Sequence, residues 1–287
     1  VKKQYIKGKG NSMQKFFSYI ILLVLYMLFS VKPIFADYPI GKKRTAITGT
    51  FNYFYSSKYF NDQGKLVNNA PGDYFQSTAY SLNITHGLSR RVDMFMTVPF
   101  ASQTLVNGNN LESKSGFTDL NLGLAVHFPS IDYKRYFTLR GSVGVPGYQN
   151  IQTPYLGYAS KSVSLGGNYS FTPYKDGFAI IDFVYTRFLD SQDGPNQYRA
   201  VITLGKMYNK HTSVTASISH QISQSINTAF NPNLLLNKNF NAATLNLSIG
   251  RRINRIITPT IQGYYTLLGK NAGLGLGANI FVTVRLP

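Results

Sequence analysis

The sequence has no cysteine, no tryptophan, and only 11 acidic residues against 29 Lys and Arg. Without cysteine there is no disulfide framework, no cysteine-borne lipid anchor and no thiolate metal site, and a thiol-free chain suits passage through an oxidising compartment. The shortage of acid leaves a formal net charge of +18. On a soluble protein that balance would point to nucleic acid, but no basic run is longer than Lys42 to Arg44. Long apolar runs are also scarce. One unbroken stretch, Tyr19 to Phe29, is shorter than the roughly 20 residues a spanning helix needs, and nothing after it has helical periodicity.

That stretch belongs to a leader. Lys2, Lys3, Lys7, Lys9 and Lys15 precede it without any acid, and Lys32, Pro33 and the small Ala36 follow. A basic front, an apolar middle and a small residue at the end make a secretory signal peptide, expected over residues 1–36 with cleavage near Ala36; an uncleaved anchor is the alternative, and Met13 is a second candidate start. Export removes nucleic acid from the expected partners. The remaining chain, 37–287, keeps 23 Lys and Arg against 11 Asp and Glu, so its counterpart is expected to be anionic lipopolysaccharide or an anionic solute.

What is present after the leader is alternation. Twelve stretches read apolar–polar with period two, the signature of strands whose side chains alternate between two environments. The predicted strands fall at 44–56, 74–86, 92–100, 119–128, 136–145, 160–171, 178–188, 198–208, 213–221, 242–251, 256–266 and 272–286. The fourth has the highest contrast: Leu120, Leu122, Leu124, Val126 and Phe128 alternate with Asp119, Asn121, Gly123, Ala125 and His127. Connections after the first, third, fifth, seventh and ninth strands span about 17, 16, 14, 9 and 20 residues, and those after even strands about 4 to 7, an asymmetry typical of outer-membrane barrels. Leu267 to Asn271 is short where a long connection is due. The predicted fold is therefore all-β, a transmembrane up-and-down antiparallel β-barrel of 12 strands in a Gram-negative outer membrane. Tyr and Phe near strand ends agree with interfacial girdles.

Several strings resemble a known family, the outer-membrane barrels that act as transporters of the MetA pathway of phenol degradation. They are Tyr59 to Lys65 (YFNDQGK), His86 to Phe100 (HGLSRRVDMFMTVPF), Ser115 to Phe128 (SGFTDLNLGLAVHF), Gly144 to Tyr148 (GVPGY) and Gly269 to Asn279 (GKNAGLGLGAN). The resemblance covers essentially the whole exported chain and implies an outer-membrane transport role connected with aromatic compounds. Barrels of this kind finish in an aromatic residue read by the barrel-assembly machinery, whereas this sequence finishes Arg285, Leu286, Pro287; Phe281 and the outward row from Leu274 to Leu286 are expected to serve instead.

Chemistry-bearing patterns are few. His220 near Ser223 and Ser225 is the one pairing that suggests a barrel hydrolase, and it lacks the accompanying residues, so no catalytic residue is assigned. His86, His127, His211 and His220 lie on different predicted elements without metal-ligand spacing, so neither metal nor cofactor is expected. Gly273, Gly275 and Gly277 alternate along a strand and are expected to thin the wall. By parity Asp93, Asp119, His127, Arg140, Asp182 and Arg199 point inward, where they would tune selectivity or pair structurally, with Asp119, Arg140 and Asp93 forming one network. Twelve strands lie between a filled eight-stranded barrel and an open sixteen-stranded porin. The expected function is passive passage of small hydrophobic or aromatic solutes, gated by the loops at 57–73, 101–116 and 222–241. A closed structural barrel contacting polysaccharide through its outer loops is the alternative, and oligomeric state is left open.

Overall fold

A computed structural model describes residues 39–149, 154–174, 176–189, 194–228, 231, 234 and 237–287; the leader lies outside them. The wall is a closed antiparallel barrel of twelve strands: β1 (Thr45–Ser56), β4 (Tyr74–Gly87), β5 (Val92–Asn107), β7 (Asp119–Pro129), β8 (Arg135–Pro146), β9 (Ser162–Phe171), β10 (Gly177–Phe188), β11 (Asn196–Met207), β12 (Thr212–Gln224), β13 (Phe240–Arg251), β14 (Ile257–Lys270) and β16 (Leu276–Leu286). Closure is explicit, because β1 pairs with β4 on one side and with β16 on the other. A 12-stranded barrel with strands about 4.8 Å apart and tilted about 40° has a backbone diameter of about 24 Å.

The polarity is inverted relative to a soluble protein. Among the described residues 16 polar side chains are buried against 11 apolar ones, while the exposed large side chains are apolar over most of the wall. On β7 the outward Leu120, Leu122, Leu124, Val126 and Phe128 are all exposed and the inward Gly123, Ala125 and His127 buried. Each such side chain removed from water is worth about 1.5–3 kcal/mol, so a whole wall of them requires lipid. Five outward positions at two-residue spacing cover about 27 Å along the strand, which at that tilt rises about 21 Å and spans most of the apolar band of about 25 Å in outer-membrane barrels.

Three of the connections at the end that holds both termini of the barrel share one construction. In Leu88–Val92, Tyr208–Thr212 and Ile253–Ile257 the first residue's N–H donates to the fifth residue's carbonyl at 2.9–3.0 Å. The second residue, Ser89, Asn209 or Asn254, accepts from the backbone N–H groups two and three positions on, at 2.7–3.1 Å. A short polar side chain that imitates a backbone turn explains why Ser and Asn stand there. Since outer-membrane barrels place short turns in the periplasm, this is the short-turn end and the other the long-loop end.

Two predicted loops are strand. Residues 101–107 continue β5 and pair with β6 (Asn110–Phe117) through a tight turn at Gly108, whose φ is +62°, so the hairpin stands up as an extension of the wall. Its sequence carries little alternation because above an apolar band both faces meet water, and the available signal is the Asn107-Gly108 turn inside the segment. In the first long connection β2 (Lys58–Phe60) and β3 (Leu66–Asn68) form a hairpin that pairs with β15 (Ala272–Gly273). The last strand accordingly begins at Leu276, four residues later than predicted, and Leu274 sits in the connection with its N–H on the Lys58 carbonyl.

Candidate functional site

The candidate site is the lumen. Alternation puts a continuous set of polar side chains inside, and they enclose a cavity of about 730 Å³ lined from β4, β5 and β7 through β12. This size lies within the range of small-molecule pockets, about 300–1,000 Å³, and is far from an open aqueous channel. The opposite quarter of the interior is filled. Asn52 lies against Asn279 and donates to the Tyr264 hydroxyl at 3.2 Å, Asn279 donates to Gln262 at 2.6 Å, and the Tyr264 ring stacks on Phe54. Gly275 and Gly277 make this possible: a Cβ at Gly277 would stand 2.1 Å from the Tyr264 ring and one at Gly275 1.7 Å from Phe54. Of the three glycines expected to alternate along the strand only Gly277 lies on it, Gly275 standing in the connection just before, and an aromatic ring lies in each of these two spaces.

The six sequence-predicted lumen residues all lie in or beside the cavity, in three separate groups rather than one network. Nearest the short-turn end, His127 Nε2 meets Asp93 Oδ2 at 3.0 Å and His127 Nδ1 meets the Thr138 hydroxyl at 3.0 Å. Asp93, His127 and Thr138 are buried to 2–4% exposure. Asp93 also accepts from the backbone N–H of Ile40 at 3.0 Å, so residues 39–44 fold into the mouth ahead of β1 and reach the cavity lining. The segment is pinned by Lys43 N–H on the Gly87 carbonyl, and only glycine fits at 87, where a Cβ would lie 1.9 Å from the Gly41 oxygen.

At mid-height, one Arg140 guanidinium nitrogen donates to both oxygens of Asp182, at 2.6 and 2.8 Å, and the Arg199 guanidinium lies 3.8 Å from the same carboxylate. Arg140 on β8 reaches Asp182 on β10 across β9 because Gly166 stands between them; a Cβ there would be 3.2 Å from Arg140 Nε. Two guanidinium groups thus share one carboxylate. Toward the long-loop end, Asp119 accepts from the Tyr148 hydroxyl. The predicted link from Asp119 to Arg140 is therefore corrected, since Arg140 is taken by Asp182, and Asp93 pairs with His127 instead of joining either.

The long-loop mouth is covered. Tyr158 donates to the Asn237 carbonyl at 2.7 Å and Ser223 to the Lys238 carbonyl at 2.7 Å. The buried Asn237 amide accepts from Asn231 N–H and donates to the carbonyls of Asn231 and Leu234. Ala159 N–H meets the Tyr148 hydroxyl at 3.0 Å, with Ala159 at φ +50°. Segments 154–161 and 237–239 are thereby tied together. Burial, and next to it the neighbouring Asp119 carboxylate, holds Tyr148 well above the ordinary tyrosine range, and burial pushes Tyr158 up to about 12. The sequence does not announce 154–161 as a cover; the tyrosines at 148, 155 and 158 in a polar connection are the available signal.

Outside the lumen, the hydrolase pairing is broken by parity. On β12 His220 faces outward and bonds Asn241 at 2.6 Å, whereas Ser223 faces inward. Among the described residues no group of three or more His, Asp or Glu side chains could hold a metal ion.

No family model matches the sequence, and no curated protein does either. Solved structures do. The COG4313 outer membrane channel from Pseudomonas putida F1 superposes with a TM-score of 0.72 at 13% identity, over 90% of this chain and 100% of that one. The NanC porin gives 0.53 at 11% identity, over 83% and 100%. The translocator domain of the autotransporter NalP from Neisseria meningitidis gives 0.50 at 9% identity, over 96% of each chain. At such identities the likeness is one of fold: the chain has the architecture of an outer-membrane β-barrel.

Proposed function

We propose that the exported chain works in the Gram-negative outer membrane as a passive channel for small solutes, aromatic ones carrying polar groups before purely aliphatic ones. The observation that carries this is the molecule-sized cavity in the lumen, with charged groups at three heights and apolar surface from Ile40, Phe95, Val184 and Phe188 among them. A ring packs against that apolar surface while its polar substituents meet Arg140, Arg199, Asp182 and the hydroxyls of the wall. The COG4313 protein, an outer membrane channel of the same fold, supports the same class of activity. Passage needs movement of residues 39–44 at one mouth and of the tied loops at the other, and neither a cofactor nor an energy source is part of the scheme. Catalysis has no role in it. Insertion relies on the barrel-assembly machinery after removal of the leader near Ala36.

The test is single-channel recording in a planar bilayer with wild type and Arg140→Ala side by side. Small discrete openings, changed in amplitude or ion selectivity by the substitution, are expected. An inserted barrel that stays silent for both chains favours the second reading, a closed structural barrel acting through its outer surface, which the interlocked long-loop mouth supports.

A further inference from the structure

The positive charge of this chain is not spread evenly. At the long-loop end the described residues outside the lumen include seven Lys and Arg against three acids, Asp62, Asp73 and Glu112. At the short-turn end 12 Lys and Arg are exposed, against one exposed acid, Asp132, and one buried, Asp176. None of those 12 takes part in a salt bridge among the described residues.

The bases form a ring. Lys42 to Arg44 precede β1, Arg90 and Arg91 occupy the β4–β5 turn, and Lys134 stands in the β7–β8 turn. Across the barrel, Lys210 lies in the β11–β12 turn and Arg252 and Arg255 in the β13–β14 turn. The three turns of identical construction place a base, Arg90, Lys210 or Arg255, directly after the turn-forming Ser or Asn. Each begins with an exposed apolar residue, Leu88, Tyr208 or Ile253. Arg135 and Arg251 sit on the outward face of β8 and β13, one outward position below the exposed Phe137 and Ile249. They end the apolar stripe, so their long side chains lie along it and their charged heads meet the headgroup layer.

We infer that this rim is a binding surface for the anionic phospholipids of the leaflet it touches, those with a net-negative phosphodiester headgroup such as phosphatidylglycerol. A polybasic margin next to a bilayer attracts anionic lipid, and three features fit lipid better than a soluble polyanion. The charge encircles the barrel instead of forming one patch. Apolar residues that suit the boundary between headgroup and acyl chain accompany it. Two of the bases, Arg135 and Arg251, stand on the outward face of the wall rather than in the turns. The inference rests on the reading that the barrel lies in a membrane.

The test reconstitutes the full exported chain in phosphatidylcholine vesicles and measures, by electron spin resonance of spin-labelled lipids, the association of phosphatidylglycerol relative to phosphatidylcholine. Insertion is verified separately from the heat-modifiable mobility of the folded barrel. For wild type a preference of about threefold or more is expected, lowered by 0.5 M salt. Arg135→Gln with Arg251→Gln should lower it, and adding Arg90→Gln, Arg91→Gln and Lys134→Gln should lower it further. A Lys58→Gln, Lys65→Gln control at the other end should keep the wild-type value. An inserted wild-type barrel with no preference, or a preference unchanged in the rim variants, overturns the inference and returns the rim to solvent or to a soluble partner. Failure of wild type to insert at all overturns instead the membrane reading beneath it.

Discussion

Single residues inside this barrel are set by what their neighbours on adjacent strands leave open. Arg140 reaches Asp182 because Gly166 lies between them, and residues 39–44 enter the mouth because position 87 has no side chain. At the opposite mouth the buried Tyr158 hydroxyl ties two loops. Its ionisation is displaced upward from the tyrosine reference of about 10 to about 12, by burial. An acid whose neutral form is favoured by folding adds stability that is complete below its unfolded value and is lost as pH rises through the folded one. The cover should therefore hold to about pH 10 and loosen between about 10 and 12. Difference absorbance at 295 nm, comparing wild type with Tyr158→Phe, should show one tyrosine fewer ionising near pH 12. Loss of a tyrosine that ionises near pH 10 instead would place the Tyr158 hydroxyl in water.

At the level of elements, alternation revealed the strands and concealed what lies above them. β7 and β8 were legible to within a residue because their outward Leu, Val and Phe meet lipid and their inward partners do not. The β5–β6 extension and the β2–β3 hairpin were read as loops because beyond the apolar band polarity no longer reports which face a residue occupies. The charged lumen residues were legible by parity, but their partners were not. Strand order places Asp119, Asp93 and Arg140 close together, whereas pairing depends on heights along tilted strands and on the glycine at 166. The filled quarter of the wall gives a direct test of packing. Gly277→Ala forces the Tyr264 ring away from Phe54 and should cost about 1–3 kcal/mol. Gly263→Ala on the neighbouring strand projects outward with nothing within 4 Å and should stay within about 0.5 kcal/mol. The temperature at which the folded band converts to unfolded mobility on gels reads both; equal shifts would refute the assigned packing.

For the molecule as a whole, a 12-stranded wall could enclose a much wider space than the cavity it contains. The interior is reduced by Tyr264 and Phe54 on one side, by residues 39–44 below, and by the tied loops above. What remains is a chamber with charge at three heights and apolar surface between. On the proposed function, such a barrel would differ from a water-filled porin in selecting solutes by fit and by polar groups rather than by size alone. The measurement that tests this most directly is swelling of proteoliposomes in isosmotic solutions of phenylalanine and of sucrose. The phenylalanine zwitterion carries an aromatic ring and two charges through a barrier that lipid alone closes to it; sucrose carries neither an aromatic ring nor a charge. A chamber of this kind predicts swelling in phenylalanine well above protein-free vesicles and above sucrose, reduced by Arg140→Ala. Equal rates for the two solutes, or rates no higher than those of empty vesicles, would contradict it.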